Sequence, residues 1–258
     1  MIFALAISAS AQDWAKARLE NSPRHQEWVA IKHGDRTVQT FVVYPEVKEK
    51  APVVIIIHEI FGMSEWVEGV ADQFAAAGYI AIAPDLLSGM APDGGRTTGF
   101  KDVGEVREAI SKLPPAQIIA DLNACSDYGI GLPAANKKLF VAGFCWGGSQ
   151  SFNFATERKD LSAAFVFYGT PPEKDALANI NTPVYGFYGG NDARVSSTVD
   201  PTQKLMDERK KTDKPTIFDG AGHGFMRAGE MPKPTDENKA ARDKAWDAML
   251  AVMKPFKS

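Results

Sequence analysis

Hydrophobic residues along the chain form short continuous runs separated by stretches of helical spacing. Residues 52–58 (PVVIIIH) form one such run, which is typical of a strand buried on both faces of a sheet. Residues 37–44 are rich in β-branched and aromatic side chains and predict an earlier strand. Further strands are predicted at residues 79–84, 139–143, 163–168, 183–189 and 215–219.

Helical spacing fills the intervals between these runs. Val67, Val70, Ala71 and Phe74 recur on one helical face, and Gly78 follows where a helix commonly ends. Further helices are predicted near residues 117–128, from residue 147, near residues 202–211 and at residues 237–253. Because strands alternate with helices, we predict an α/β fold with a mostly parallel, doubly wound sheet that carries helices on both faces.

One segment interrupts the alternation. Residues 88–115 are rich in Gly and Pro, and we interpret them as a loop or small lid over the functional site. The remaining pattern contains neither an internal repeat nor a linker. We therefore divide the chain of 258 residues into an N-terminal segment, residues 1–36, and a single domain, residues 37–258.

The composition is that of an ordinary globular protein, with 45% hydrophobic and 24% charged residues. The net charge is −3 and no block of Lys or Arg is present, so the chain lacks the basic surface that nucleic-acid binding requires. No run reaches the roughly 18 apolar residues of a membrane span. These features favour a small-molecule substrate, without a nucleic-acid or membrane partner, for a monomer or weak homodimer.

The N-terminal residues, MIFALAISASAQDW, combine a short apolar run with Ala9-Ser10-Ala11, which is similar to a signal-peptide cleavage site. No basic residue precedes the apolar run, so the segment resembles a remnant of a signal peptide. It predicts a periplasmic or secreted protein whose mature chain begins near Gln12. The alternative is the first helix of a cytoplasmic protein.

Residues 143–148, GFCWGG, have the spacing of the G-x-S-x-G turn, in which a strand bends sharply into a helix and presents the middle residue outward. Cys145 occupies that middle position. The same glycine spacing also occurs where a helix packs closely against a sheet, so the prediction depends on the residues that follow. We predict Cys145 as the nucleophile of a hydrolase.

A nucleophile in this architecture requires a base on a loop after a later strand. The chain contains four histidines. His25 and His33 precede the first predicted strand, and His58 ends an early one. His223 remains, in the glycine-flanked loop GAGHGF, and we predict it as the base.

The base requires an acid that orients it. Asp192 directly follows a predicted strand in VYGFYGGNDARV, and we predict it as this acid. Asp219 is the alternative, at the end of a strand and four residues before His223. The order Cys145, Asp192, His223 is the order of nucleophile, acid and base in α/β-hydrolases.

Five motifs in the chain, HEIFG, GYIAIAPDL, GFCWGG, GGND and AGHGF, together resemble the dienelactone hydrolases, a cysteine branch of the α/β-hydrolase fold. The resemblance extends from about residue 52 to the C-terminus. It implies that the chain hydrolyses an ester or lactone through a thioester acyl-enzyme, with no metal and no organic cofactor.

The resemblance also implies roles for four further residues. Glu59 matches a glutamate that lies against the thiol and keeps it neutral until substrate arrives. The turn geometry predicts that the backbone N–H groups of Trp146 and Ile60 bind the oxyanion. Arg227 matches an arginine that binds the carboxylate of the substrate, and its alternative is an exposed loop arginine.

A second carboxylate-binding arginine of the family lies in the lid, where neither Arg96 nor Arg107 falls in register. The natural substrate is therefore open. The alternatives are a broad carboxylesterase and, outside enzymes, a non-catalytic ligand binder or a thiol redox sensor. The presence of both Asp192 and His223 favours an enzyme, because a redox sensor needs no orienting acid.

Overall fold

An eight-stranded mixed sheet forms the centre of the molecule, of which the computed structural model describes residues 13–257. The strands follow the spatial order β1-β2-β4-β3-β5-β6-β7-β8. β2 pairs antiparallel with β1 and β4, and the other neighbours pair parallel. The strands are β1 (Gln26–His33), β2 (Arg36–Val43), β3 (Ala51–Ile57), β4 (Ile80–Pro84), β5 (Ala135–Phe144), β6 (Leu161–Phe167), β7 (Val184–Gly189) and β8 (Asp213–Phe218).

Helices cover both faces of the sheet, which confirms the predicted doubly wound arrangement. Residues of α4 and α5 lie in one hydrophobic cluster, and residues of α2 and α9 lie in the other. The helices are α1 (Asp13–Glu20), α2 (Glu65–Ala76), α3 (Val103–Ser111), α4 (Pro115–Gly131), α5 (Trp146–Glu157), α6 (Ala193–Ser196), α7 (Val199–Glu208), α8 (Phe225–Ala228) and α9 (Asp236–Met253).

The central strand β3 explains why a continuous apolar run is needed. Val53, Ile55 and Ile57 point into one cluster, whereas Val54 and Ile56 point into the other. All five side chains are fully buried. A polar residue within this strand would lose its hydration on whichever face it lay. The site residues His58 and Glu59 follow at its carboxyl end.

The sheet begins one strand earlier than predicted. β1 pairs with β2 along its whole length, and His33, which was expected to precede the sheet, is the last residue of β1. Its Nε2 lies 2.7 Å from the buried Asp121 of α4, beside Arg36. The predicted division between residues 36 and 37 therefore falls within β2 and separates β1 from the sheet to which it belongs.

The segment at residues 88–115 is more ordered than a loop. It contains α3, whose Val106 and Ile110 are buried in the core. Thr97, which precedes α3 in this segment, is hydrogen bonded to Asp85 directly after β4. The carboxylate of Asp85 accepts hydrogen bonds from the backbone N–H and the hydroxyl of Thr97, both at 2.8 Å. Of the two interpretations, a loop or a small lid, the loop was therefore wrong for α3, and the lid stays a prediction.

The predicted cleavage site at Ala9-Ser10-Ala11 lies outside the described residues, so removal of the leader stays a prediction. Within residues 13–257, none of the helices combines the length and apolar character that crossing a membrane requires. In the same part of the chain, no group of three or more His, Cys, Asp or Glu side chains is arranged to hold a metal ion.

Candidate active site

Cys145 lies at a sharp turn between β5 and α5. Its backbone has φ 56° and ψ −117°, an unfavourable conformation for a residue with a side chain that costs about 1–3 kcal/mol. Glycines make the turn possible. A Cβ on Gly143 would lie 1.9 Å from the carbonyl oxygen of Gly147, and a Cβ on Gly147 would lie 2.3 Å from that of Ile57. The local backbone therefore holds the thiol outward at the carboxyl edge of the sheet.

The structure brings Cys145, His223 and Asp192 together in one hydrogen-bonded chain. His223 Nε2 lies 3.0 Å from Cys145 Sγ, and His223 Nδ1 lies 2.5 Å from Asp192 Oδ2. When Nδ1 donates its proton to the carboxylate, the lone pair of Nε2 faces the thiol. This arrangement can remove a proton from sulfur and hold the resulting imidazolium against a buried carboxylate.

The geometry favours Asp192 over Asp219. Asp192 is only 8% exposed and follows β7 at the start of α6, whereas Asp219 is exposed at the end of β8. Among the described residues, Asp192 is the carboxylate that hydrogen bonds His223. A buried carboxylate orients an imidazole more firmly than a hydrated one, because water does not compete for the bond.

Glu59 follows β3 and is buried beside the thiol. Its Oε2 accepts a hydrogen bond from Arg227 Nε at 2.8 Å, and the hydroxyl of Tyr168 lies 3.5 Å from Oε1. Burial raises the pKa of Glu59, and the positive charge of Arg227 opposes that shift. Arg227, predicted to bind a substrate carboxylate, thus already pairs with a carboxylate of the protein.

The environment of Cys145 favours the protonated thiol. Burial raises its pKa, and the neighbouring Glu59 raises it further by like-charge repulsion. The backbone N–H groups of Trp146 and Ile60 hydrogen bond the sulfur and lower the pKa. These two groups, predicted as oxyanion donors, therefore converge on the reacting atom.

A sequence model of the dienelactone hydrolase family matches residues 38–257. The chain belongs to this family. It is therefore a hydrolase, and the eight-stranded sheet is an α/β-hydrolase fold. A relative from Methylorubrum extorquens, named "Putative carboxymethylenebutenolidase", is 29% identical over 86% of this chain and 79% of its own.

Two further proteins show the same family likeness. A relative of the same name from Yersinia pestis is 30% identical, over 77% of this chain and 76% of its own. The crystal structure titled "Putative Dienelactone Hydrolase" from Klebsiella pneumoniae superposes with a TM-score of 0.77 at 26% identity. That superposition covers 89% of this chain and 98% of the Klebsiella chain.

A cavity of about 520 Å³ opens above the thiol. Three arginines line it, Arg107 from α3, Arg194 from α6 and Arg227 from α8, and Glu59 is the one carboxylate in the lining. The other lining residues are Ile60, Phe61, Cys145, Trp146, Ser149, Tyr168, Thr170 and His223. The cavity of this family member is therefore electropositive.

Tyr168 is a site residue that the sequence analysis missed. It follows β6 with φ 43° and is only 1% exposed. Its ring meets His223 edge to face, with centroids 5.1 Å apart, and its hydroxyl faces Glu59. The position after a parallel strand was a usable signal, because loops at the carboxyl ends of such strands carry functional residues.

Glu59→Gln is expected to lower the pKa of Cys145 and to speed alkylation of its thiol at neutral pH. The substitution removes the like charge and releases Arg227, so both changes stabilise the thiolate. Each unit of pKa decrease gives about a tenfold larger thiolate fraction below the pKa. Mass spectrometry of iodoacetamide labelling over a pH series measures the shift.

The matched control for this prediction is Glu157→Gln, which removes one negative charge at the opposite end of α5. We expect its alkylation profile to overlay that of the wild type. A Glu59→Gln profile that is unchanged, or displaced to higher pH, would contradict the role of Glu59 in holding the thiol neutral.

Proposed function

We propose that the protein hydrolyses ester or lactone bonds of small, carboxylate-bearing molecules through a thioester on Cys145. The chain of contacts from Asp192 to His223 to Cys145, at 2.5 and 3.0 Å, carries this proposal. It supplies a nucleophile, a base in reach of its proton and an acid that orients the base.

In the acylation step, Nε2 of His223 accepts the thiol proton while Sγ of Cys145 forms a bond to the carbonyl carbon. The negative charge then falls on the carbonyl oxygen, where the N–H groups of Trp146 and Ile60 are available to bind it. The tetrahedral species collapses by breaking the carbon–oxygen ester bond. His223 gives its proton to the leaving oxygen, which stays tethered in a lactone and departs in an open ester.

In the deacylation step, neutral His223 accepts a proton from water, and the water oxygen attacks the thioester carbon. The carbon–sulfur bond breaks, the thiolate regains the proton from His223, and a carboxylic acid is released. No redox partner takes part, because the atoms and charges balance with water alone. The fully buried Tyr168 forms one wall beside His223 and excludes water from that side.

The charge of the cavity supports an anionic substrate. Arg227 pairs with Glu59 through Nε, and its guanidinium lies 5.1 Å from the centroid of the Phe61 ring. Arg107 lies at the same distance from this ring. Among the described residues, no carboxylate pairs with the side chains of Arg107 and Arg194, so both are free to bind a substrate anion.

Arg107→Gln and Arg194→Gln are each expected to lower the preference for an anionic ester over a neutral one. A lost charge-assisted contact of about 1.5 kcal/mol reduces the ratio of the two kcat/KM values roughly tenfold. The assay compares para-nitrophenyl acetate with the para-nitrophenyl monoester of succinic acid. We avoid Arg227→Ala here, because it also leaves Glu59 unpaired.

Lys112→Gln is the matched control, since it removes a positive charge from the C-terminal end of α3 outside the cavity lining. We expect it to leave the ratio unchanged. If neither arginine variant changes the ratio, the protein is better described as a broad carboxylesterase.

The experiment that tests the function itself is a screen of small esters and lactones, each with and without a carboxylate. Turnover together with a mass increase on Cys145 equal to the acyl group would support the proposal. Binding without turnover would instead favour a ligand-binding protein, and stable oxidation of Cys145 without turnover would favour a thiol sensor.

A further inference from the structure

His58, which the mechanism above does not use, lies buried behind the predicted oxyanion donors. It is fully inaccessible to solvent at the end of β3. Its Nδ1 lies 2.8 Å from the carbonyl oxygen of Glu59. The same oxygen accepts a hydrogen bond from the backbone N–H of Gly62 at 3.1 Å. Two donors therefore hold this carbonyl oxygen.

The orientation of that carbonyl determines the direction of Ile60 N–H. The carbonyl of Glu59 and the N–H of Ile60 belong to one planar trans peptide unit, so they point in opposite directions. The Ile60 N–H hydrogen bonds Cys145 Sγ. A rotation of this peptide would turn the N–H away from the sulfur, and the hydrogen bond from His58 opposes such a rotation.

His58 also contacts the residue that carries the second donor. Its ring stacks on the indole of Trp146, with centroids 5.3 Å apart and planes inclined by 18°. The backbone is close here as well, because a Cβ on Gly147 would lie 2.4 Å from the carbonyl oxygen of His58. His58 thus contacts both segments that supply the N–H groups. These segments are the loop after β3 and the start of α5.

The surroundings of His58 keep it a neutral donor. Among the described residues, no polar atom is within hydrogen-bonding distance of its buried Nε2. An imidazolium would place an unpaired N–H there, and burial accordingly lowers the pKa of His58 although Asp85 opposes the shift. The neutral ring therefore carries its proton on Nδ1, where Glu59 accepts it.

We propose that His58 is a positioning residue that aims the Ile60 and Trp146 N–H groups at the oxygen on which negative charge develops. The inference rests on the proposed function. A hydrogen bond to the Glu59 carbonyl also polarises the peptide unit and strengthens its N–H as a donor. Since such donors act most strongly on the transition state, His58 contributes to kcat more than to KM.

The test separates the hydrogen bond from the packing. His58→Asn keeps a side-chain N–H near the position of Nδ1 but loses the ring that stacks on Trp146. His58→Leu keeps comparable bulk and loses the donor. We expect the Leu variant to lower kcat for an aryl ester roughly 10–100-fold with KM within a few-fold, and the Asn variant to restore most of kcat.

A second measurement uses the sulfur of Cys145, which accepts hydrogen bonds from the same two N–H groups. The pKa of Cys145, measured from the pH dependence of its alkylation, is expected to rise in His58→Leu and to return toward the wild-type value in His58→Asn. A purely structural role would lower the melting temperature of both variants without this difference. Equal losses of kcat in the two variants, or no loss in either, would overturn the proposal.

The wild-type protein provides a test that does not depend on the folding of the Leu variant. Nitrogen NMR of isotope-labelled histidine side chains distinguishes the two neutral tautomers, and the His58 signal is assigned by its absence in His58→Asn. We expect the proton on Nδ1, and a proton on Nε2 would overturn the proposal. Failure of the proposed function is distinguishable, because the wild type itself would then show no turnover.

Discussion

Cys145→Ala is expected to lower kcat/KM for ester or lactone hydrolysis by roughly 10⁴-fold or more while the protein stays folded. The thiol forms the bond that replaces the ester bond, so no neighbouring group can substitute for it without a different mechanism. His223 and the two N–H donors remain in place, and their residual effect on water attack limits the loss. We expect mass spectrometry to detect an acyl adduct on the wild type and none on this variant.

Cys125→Ala is the matched control for this experiment. Cys125 is the other cysteine, fully buried in α4, with Sγ 3.5 Å from the hydroxyl of Thr40. Burial raises its pKa to about 12, so it is not a nucleophile at neutral pH. We expect a modest loss of thermal stability and wild-type kcat. Persistent hydrolysis in a folded Cys145→Ala protein would refute the thioester mechanism.

The buried strands were predictable because their apolar runs leave little choice of environment. β3 fills both cores, so its uninterrupted hydrophobic sequence indicates a central strand. β1 was missed for the converse reason. Ile31 is its one buried side chain, so burial imposes no clear pattern on the sequence of β1. The available signal for a hairpin in the sequence was Gly34. In the structure this glycine adopts φ 52° in the turn between His33 and Arg36, which pair with each other.

The reacting groups were predictable because the architecture places them at strand ends in a defined order. Cys145, Asp192 and His223 each follow a parallel strand, and parallel strands end at one edge of the sheet. Their roles stay predictions until the variants are measured.

The walls of the cavity were not predictable in the same way. Arg107 reaches the site from α3, a helix hidden in a segment rich in Gly and Pro, and Arg194 reaches it from the four-residue α6. Whether an arginine points into a cavity depends on how its element packs, which local sequence does not determine. The pairing of Arg227 with Glu59 likewise joins residues 168 positions apart.

Asp192→Asn is expected to lower kcat at neutral pH by roughly 10²–10⁴-fold with little change in KM. An asparagine in this place can donate its amide N–H to Nδ1 of His223, and the ring proton then moves to Nε2. That proton faces Cys145 Sγ across the 3.0 Å contact, so the ring can no longer accept the thiol proton. The loss is expected to shrink as the pH rises, because the thiol then ionises without the base.

Asp219→Asn separates this account from the alternative acid. Asp219 is exposed, and its replacement leaves the contact of 2.5 Å between His223 Nδ1 and Asp192 Oδ2 in place, so we expect kcat within about twofold of the wild type. Steady-state kinetics of both variants over a pH series provide the comparison, with melting temperatures to verify folding. A larger loss in Asp219→Asn than in Asp192→Asn would transfer the orienting role to Asp219. An Asp192→Asn deficit that stayed constant up to high pH would show instead that Asp192 acts after thiolate formation, in the deacylation half of the cycle.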